Sequence, residues 1–319
     1  MIVKENWLTP DNQVNLYLQS VEDALKWDYR FSMFKQDRRY QIVLEHVSET
    51  HGASLWKFLT NKVSKNIISE FTFNDSVGTP RVYNYDGVII SPTTLRYIKS
   101  FYYLKELFGS LNGFKILEIG GGYGGLCSIL NQAYDIENYT IADLPQVCNL
   151  QKKYIETLWK NKEKKINFTT ISSMSDLIDC QQYDLVISEF ALSELDMDIQ
   201  EKYIDKISSI KRGYIASNAC YDRAVQFFNK AKMYNNFDFV KLLKSQNASL
   251  RGIYDSHPSG EIEDLGLIYW GSACSEKKME AKKGEYYEVV HEQLKASNYD
   301  KEKINWIVNG FQENKIGIL

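Results

Sequence analysis

Five glycines in six positions, Gly120-Gly121-Gly122-Tyr123-Gly124-Gly125, follow the apolar run Lys115-Ile116-Leu117-Glu118-Ile119. Without Cβ atoms, such a turn lets backbone come very close to a ligand. Glu118 places an acid beside the turn, and Asp143 follows about twenty residues on. Both are acceptors for the N–H and O–H groups of a nucleotide-like ligand. Two fingerprints overlap here. Gly120-x-Gly122-x-x-Gly125 with Asp143 satisfies the dinucleotide pattern. Glu118, Gly120, Gly122 and Gly124 satisfy an acid-x-Gly-x-Gly-x-Gly pattern.

The elements around the turn must position it. Strands are expected over Lys115–Ile119, Asn138–Ala142, Ile166–Ile171, Asp184–Ser188 and Arg212–Ser217. Helices are expected over Gly125–Ala133, Pro145–Asn161, Asp198–Ser209 and Asp222–Tyr234, with a short helix starting at Ser175–Leu177. That alternation predicts a parallel sheet with helices on both faces, and its strand ends are where such sheets bind cofactors. Asp238–Lys244 and Leu265–Ala273 read as strands with no helix between, hence as a terminal hairpin. Before this unit, Ser91-Pro92-Thr93-Thr94 reads as a helix start. Residues 1 to about 75 look mostly helical: Val14, Leu16, Leu18, Val21, Leu25 and Trp27 fit one helix face, and Ile42–Val47 and Leu55–Val63 fit others. The expected division is a helical region over 1–90 (a lid, or an oligomerisation or substrate region), a cofactor-binding domain over 91–275 and a helical appendage over 276–319.

Composition narrows the classes. The 319 residues are 44% apolar and 25% charged with net charge −3, which argues against a general nucleic-acid binder. The five cysteines (Cys127, Cys148, Cys180, Cys220, Cys274) show no paired spacing, so free thiols in a cytoplasmic protein are expected. No apolar run approaches a membrane span, and the amino terminus shows no signal peptide. The spacing of the carboxylates is not diagnostic of a metal site, and none is assigned.

Three features favour the acid-containing fingerprint, which is that of S-adenosylmethionine-dependent methyltransferases, over a nicotinamide dinucleotide. Glu118 suits a cofactor with an amino group and a sulfonium and would repel a pyrophosphate. The inferred hairpin resembles the antiparallel last strand of methyltransferase sheets. Asp184–Glu189 leads into Phe190-Ala191-Leu192-Ser193-Glu194-Leu195, which resembles the segment facing sulfonium and substrate in that superfamily. Further, Ser91–Tyr97, Ile116–Leu126, Ala142-Asp143-Leu144-Pro145, Ser193-Glu194-Leu195 and Tyr269-Trp270-Gly271 occur in the order that resembles the bacterial sugar O-methyltransferase family, associated with surface glycans. The resemblance spans about 85 to 273. Glu189 departs from it, since an amide is commoner there.

The resemblance implies an α/β fold with a seven-stranded Rossmann-like sheet, mostly parallel with an antiparallel last strand. It implies S-adenosylmethionine as cofactor and a sugar hydroxyl, nucleotide-linked or in a glycan, as acceptor. Gly120, Gly122 and Gly124 would pass the methionine part, Glu118 would orient its amino group, and Asp143 would hold both ribose hydroxyls. Leu144 would pack on the adenine, Ser172 and Ser173 would meet its edge, and Glu189 would lie near the methyl. The base is sought among His257, Glu189, Glu194 and Asp255; His257 lies in a turn-rich loop, and histidine is the usual base near neutral pH. A nicotinamide-dependent oxidoreductase and a non-catalytic scaffold remain alternatives, and a homo-oligomer stays open. Tyr97, Tyr102 and Tyr103 read as core more than as a sugar platform. Lys160–Lys165 reads as a solvated helix end.

Overall fold

The computed structural model describes residues 11–164, 166–177, 179–217, 242–243, 248–252 and 266–272. Five helices come first: α1 (Asp11–Lys26), α2 (Asp28–Phe31), α3 (Arg38–Gln41), α4 (Glu49–Thr60) and α5 (Lys65–Glu70). A small antiparallel hairpin follows, β1 (Tyr83–Tyr85) and β2 (Val88–Ile90), then α6 (Pro92–Phe108). The α/β unit then runs β3 (Lys115–Ile119), α7 (Gly125–Ala133), β4 (Asn138–Ala142), α8 (Pro145–Trp159), β5 (Phe168–Ile171), β6 (Leu185–Glu189), α9 (Met197–Ile207) and β7 (Gly213–Ser217). Two further strands are β8 (Ser249–Gly252) and β9 (Gly266–Trp270).

The strand order across the larger sheet is β5-β4-β3-β6-β7-β9-β8. The first five strands pair parallel, while β9 runs antiparallel to both β7 and β8. The fold is therefore α/β with a mainly parallel sheet, as the strand–helix rhythm predicts. The chain leaves β3 for β4 on one side and later returns to β6 on the other. That reversal opens a crevice at the carboxyl end of β3, the usual ligand position in open α/β sheets.

Side chains alternate between two cores, as the period of a strand requires. Ile116, Leu185, Ile187, Tyr214, Ala216 and Tyr269 point to one face, where α6, α7, α8 and the amino-terminal helices close over them. Leu117, Ile119, Val186, Ile215, Ile268 and Trp270 point to the other, against α9. Burial on both faces explains why β3 and β6 read as apolar runs with no polar alternation. The first core is continuous from Val14 to Tyr269, so the helices before the hairpin and the sheet share one interior. Trp270 lies flat on Gly213, where any Cβ would overlap its ring, and its indole N–H donates to the Ile210 carbonyl at 2.9 Å.

Several expectations need correction. The first strand of the terminal hairpin is Ser249–Gly252; Leu242 and Leu243, placed in a strand by the apolar pattern, are helix end and turn, with Leu243 buried. Ile42–Val47 is a loop, because the helical register stops at Gln41 and Glu45 takes a left-handed φ of 58°. Leu16 and Trp27 are exposed; α1 buries Val14, Tyr17, Leu18, Val21 and Ala24 instead. The lysines after α8 are not simply solvated. Lys162 Nζ stacks 3.5 Å from the Phe73 ring centroid, and Lys164 pairs with Asp135 at 2.9 Å. The expected helix Asp222–Tyr234, the appendage 276–319 and Cys220 and Cys274 lie outside the described residues; Cys127, Cys148 and Cys180 are free and buried.

Candidate functional site

The glycine turn joins β3 to α7. Gly120, Gly122 and Gly124 have φ of 74°, 55° and 91°, a region that side-chain-bearing residues adopt with strain. A Cβ on Gly120 would strike Ala191, and one on Gly122 would press Leu44 at 2.9 Å. The turn is pinned by Gly120 N–H to the Ala142 carbonyl and by Gly124 N–H to the Gly121 carbonyl, both 2.9 Å. Tyr123, in the middle of the run, is anchored in the core. Its ring packs edge-on against Tyr97 and Tyr154, and the buried Lys35 ammonium sits 4.1 Å from its centroid. Burial lowers the Lys35 pKa; Glu45 and Asp75 oppose this.

Three acids converge on the turn. Glu118 is 1% exposed and accepts from the Tyr139 hydroxyl at 3.0 Å. Burial pushes its pKa up to about 8; the Tyr139 bond opposes this, and the Glu189 and Asp143 charges add to it. Asp143 lies one residue beyond β4. The Leu144 N–H donates to its Oδ1 at 2.8 Å, and the Gln151 amide donates to its Oδ2 at 2.9 Å. Burial raises its pKa to about 7 against these bonds and those from the Gly121 and Gly122 amides. Gln151 also donates to the Gly122 carbonyl at 2.9 Å, tying the turn to α8. Asp143 is not the cap of α8: Leu144 occupies that position, and no side chain caps it.

Glu189 ends β6 on the same sheet face as Glu118, by the alternation through Leu185 and Ile187. Burial raises its pKa, opposed by the Ser100 hydroxyl, the Lys99 and Arg96 cations and the Tyr214 hydroxyl. Its Oε1 is buried with no hydrogen-bond partner among the described residues. Phe190 then turns the chain at φ 68°, a strained value for an aromatic residue. The following turn, Ala191–Glu194, is fastened by Leu192 N–H to Ser188 Oγ and by Ser193 Oγ to the Phe190 carbonyl.

The structure thus brings Glu118, Gly120, Gly122, Gly124, Asp143, Leu144 and Glu189 to one end of the sheet. Leu144 is buried at the start of α8. Ser172 and Ser173 follow β5, where Ser173 caps a short turn through the Ser175 N–H. Glu194 is half-buried in the turn after β6. His257 and Asp255 lie outside the described residues. Tyr97 and Tyr103 are core residues, and Tyr102 is half-buried.

Sequence reasoning missed Gln151, Tyr139, Leu44 and Glu45. Gln151 left a signal, as a lone amide in the apolar stripe Val147, Leu150, Tyr154, Leu158 of α8. Glu45 left none, because its position depends on a loop that read as helix. Among the described residues no cluster of three potential metal ligands occurs, and no helix is long and apolar enough to cross a membrane.

No protein-family model matches the sequence, and no curated protein matches it. Solved structures with a similar fold include methyltransferases. One is a complex of the Haloferax volcanii Trm112 methyltransferase activator with a methyltransferase (14% identity, 55% of this chain and 89% of that one, TM-score 0.43). Another is the magnesium protoporphyrin IX methyltransferase of Synechocystis PCC 6803 with bound S-adenosylhomocysteine (15%, 55% and 80%, TM-score 0.40). A third is the geranyl diphosphate C-methyltransferase of Streptomyces coelicolor A3(2), also with S-adenosylhomocysteine (8%, 58% and 78%, TM-score 0.44). None of these likenesses assigns a role to a residue of this chain. What the structure itself defines is a Rossmann-like α/β fold with a glycine turn at its switch point.

Proposed function

We propose that this chain is an S-adenosylmethionine-dependent O-methyltransferase whose acceptor is a sugar hydroxyl, nucleotide-linked or in a surface-glycan precursor. The observation that supports it most is the set of three acids, Glu118, Asp143 and Glu189, around a turn of three left-handed glycines. An ammonium or a sulfonium brought among these acids would favour their ionised forms, which a pyrophosphate would oppose. The antiparallel β9 fits the same reading, because a nicotinamide fold would continue with parallel units. Gln151 Oε1 is a further buried acceptor with no partner among the described residues, beside Asp143 and the turn.

S-adenosylmethionine, when bound, supplies an electrophilic methyl carbon on a sulfonium that departs as a neutral thioether. The residues present fit its parts. Asp143 is a two-oxygen acceptor for two ribose hydroxyls, Leu144 offers apolar surface to the adenine, and Ser172 and Ser173 offer hydroxyls to its edge. Gly120, Gly122 and Gly124 would give the turn its left-handed backbone beside the methionine part, and Glu118 would face the amino group. The acceptor hydroxyl must be held about 3 Å from the methyl and on its axis. Its proton goes to a base. Glu189 is our choice among the described residues, since a raised pKa brings a carboxylate nearer the working pH; Glu194 and His257 are the rivals. The helical region over 1–90 would serve as a lid, or in oligomerisation or substrate binding; Leu44 of this region lies against Gly122.

Calorimetry with S-adenosylhomocysteine and with NAD tests the cofactor, and labelled methyl transfer to a panel of nucleotide sugars tests the acceptor. Micromolar binding of S-adenosylhomocysteine and label in a sugar product are expected. Binding of NAD alone would turn the reading to an oxidoreductase. Cofactor binding with no transfer to any glycan or nucleotide sugar would remove the sugar acceptor.

A further inference from the structure

Tyr123 is the one residue of the run Gly120–Gly125 that carries a side chain. Glycine-rich backbone is costly to order, because each glycine has more states to lose than any other residue. Backbone hydrogen bonds and Gln151 hold this turn from the sheet and from α8. Any hold through a side chain of the turn itself must pass through Tyr123. Its ring is fully buried among Phe34, Tyr97 and Tyr154, with centroids 5.9, 5.8 and 4.8 Å away.

Lys35, between α2 and α3, is 0% exposed. Its Nζ lies 4.1 Å from the Tyr123 centroid and 4.9 Å from that of Tyr154. It donates to the Asn74 carbonyl at 3.1 Å. An ammonium has three donors and no acceptor, and among the described residues no carboxylate lies within ion-pair distance of this one. Glu45 and Asp75 act on it at longer range. Burying a cation away from a counter-ion is unfavourable, and an apolar side chain of like volume often does as well or better for stability. What the site offers this ammonium is aromatic faces, which attract a desolvated cation through the ring quadrupole. The surroundings are shaped for it. The Gly78 carbonyl, at a residue with φ of 85°, accepts from the Lys35 N–H at 3.1 Å, and a Cβ on Gly78 would strike Phe34 and press the Lys35 stem at 3.0 Å. Asn74 is fully buried; it also accepts from the Tyr154 hydroxyl, and its amide donates to Thr94 Oγ1 at 3.0 Å. Tyr154 stands three residues after Gln151 on α8, and Gln151 donates to the Gly122 carbonyl and to Asp143. Lys35 thus reaches the turn twice, directly at Tyr123 and through Asn74 and α8.

We propose that Lys35 is a positioning residue for the glycine turn: its ammonium, held against the Tyr123 ring, sets the turn in its binding shape before any ligand arrives. The assignment rests on the reading of the turn as the seat of the methyl donor, and it makes that seat depend on a residue from before the α/β unit. A turn already set takes no binding energy for its own ordering. A turn that wanders binds only in proportion to its competent fraction.

The test uses three measurements on the full chain: calorimetry with S-adenosylhomocysteine, hydrogen exchange of the Gly120 and Gly124 amides without ligand, and urea melts. Lys35→Met removes the charge and keeps a long side chain. It should unfold at the same urea concentration as wild type or a higher one. It should nevertheless exchange the two turn amides about 5- to 30-fold faster and bind S-adenosylhomocysteine more weakly by a similar factor, the usual range of a buried cation–π contact. Tyr123→Leu should weaken binding alike, whereas Tyr123→Phe, which keeps a ring for the ammonium, should retain most of the affinity. The Lys35→Met/Tyr123→Leu double variant should bind no more weakly than the worse single one. Unchanged exchange and affinity in Lys35→Met, a loss of stability that matches its loss of affinity, additive losses in the double variant, or equal losses for Tyr123→Phe and Tyr123→Leu each overturn the proposal; wild type that binds S-adenosylhomocysteine then keeps the cofactor reading. If Lys35→Met does not fold, the two Tyr123 variants decide. Wild type that binds no S-adenosylhomocysteine removes the cofactor reading. Faster turn exchange in Lys35→Met would then still support the hold of Lys35 on the turn, and unchanged exchange would overturn both.

Discussion

Glu118 and Asp143 carry the largest consequence at the scale of single residues. Their folded pKa values, about 8 and about 7, stand above the ordinary 4.5 and 3.8. Between those limits the folded chain holds protons that the unfolded chain has lost, so stability falls as pH rises. It is greatest below the unfolded pKa values and is lost progressively until the folded ones are passed. Without ligand, the protein should lose on the order of 1 kcal/mol per pH unit for each group between about pH 5 and 7. Glu118→Gln, which cannot ionise and can still accept from Tyr139, should flatten part of that slope and be the more stable form at pH 8. Urea melts across pH 5 to 8.5 measure both; a wild-type stability that rises over this interval would contradict the burial of these acids. The two acids were legible in the sequence as strand-end residues. Their protonation was not, because it depends on what α6 and the amino-terminal helices place over them.

Among the elements, α6 is the one whose start is held most firmly. Asp75 accepts from the Ser91 N–H and Oγ, both at 2.7 Å, and from Thr94 Oγ1 at 2.6 Å. Ser91→Ala should cost about 1 kcal/mol, a usual loss for a cap. Asp75→Ala strands three donors and should cost more, roughly 2–4 kcal/mol. Denaturant midpoints rank the two, and equal losses would mean that Asp75 adds nothing beyond the cap. Ser91-Pro92-Thr93-Thr94 announced this start because capping is local chemistry. The central strands were legible for a similar reason, as apolar runs stopped by glycine or by Ala-Asp-Leu-Pro. The loop 42–47 was not. Its apolar residues fit a helix, but they pack on the core from a loop, with Leu44 against a turn some eighty residues later. β8 was displaced for the converse reason, since Leu242 and Leu243 offer a better apolar signal than Ser249–Gly252, whose pairing with β9 makes it a strand.

At the scale of the whole molecule, the first helices have no interior of their own. The face of α1 is buried with residues of α8, and Lys153 of α8 reaches back to the Ala24 carbonyl and to Asp28. Tyr154 donates to Asn74 at 2.7 and 2.8 Å. A chain cut at residue 140 lacks these partners. It should remain protease-sensitive and bind a hydrophobic dye, whereas the full chain resists digestion over 11–164; a protected core in the short fragment would show that the helices fold alone. The same wiring bears on how the chain is made. Ala24 and Lys153 are 129 positions apart. At about 5–20 residues per second, a ribosome takes roughly 6–26 s to supply the partner of a helix it has already released. Through that interval the apolar side of α1 lacks the α8 residues that cover it, and it stays so until the fourth strand and its helix have emerged.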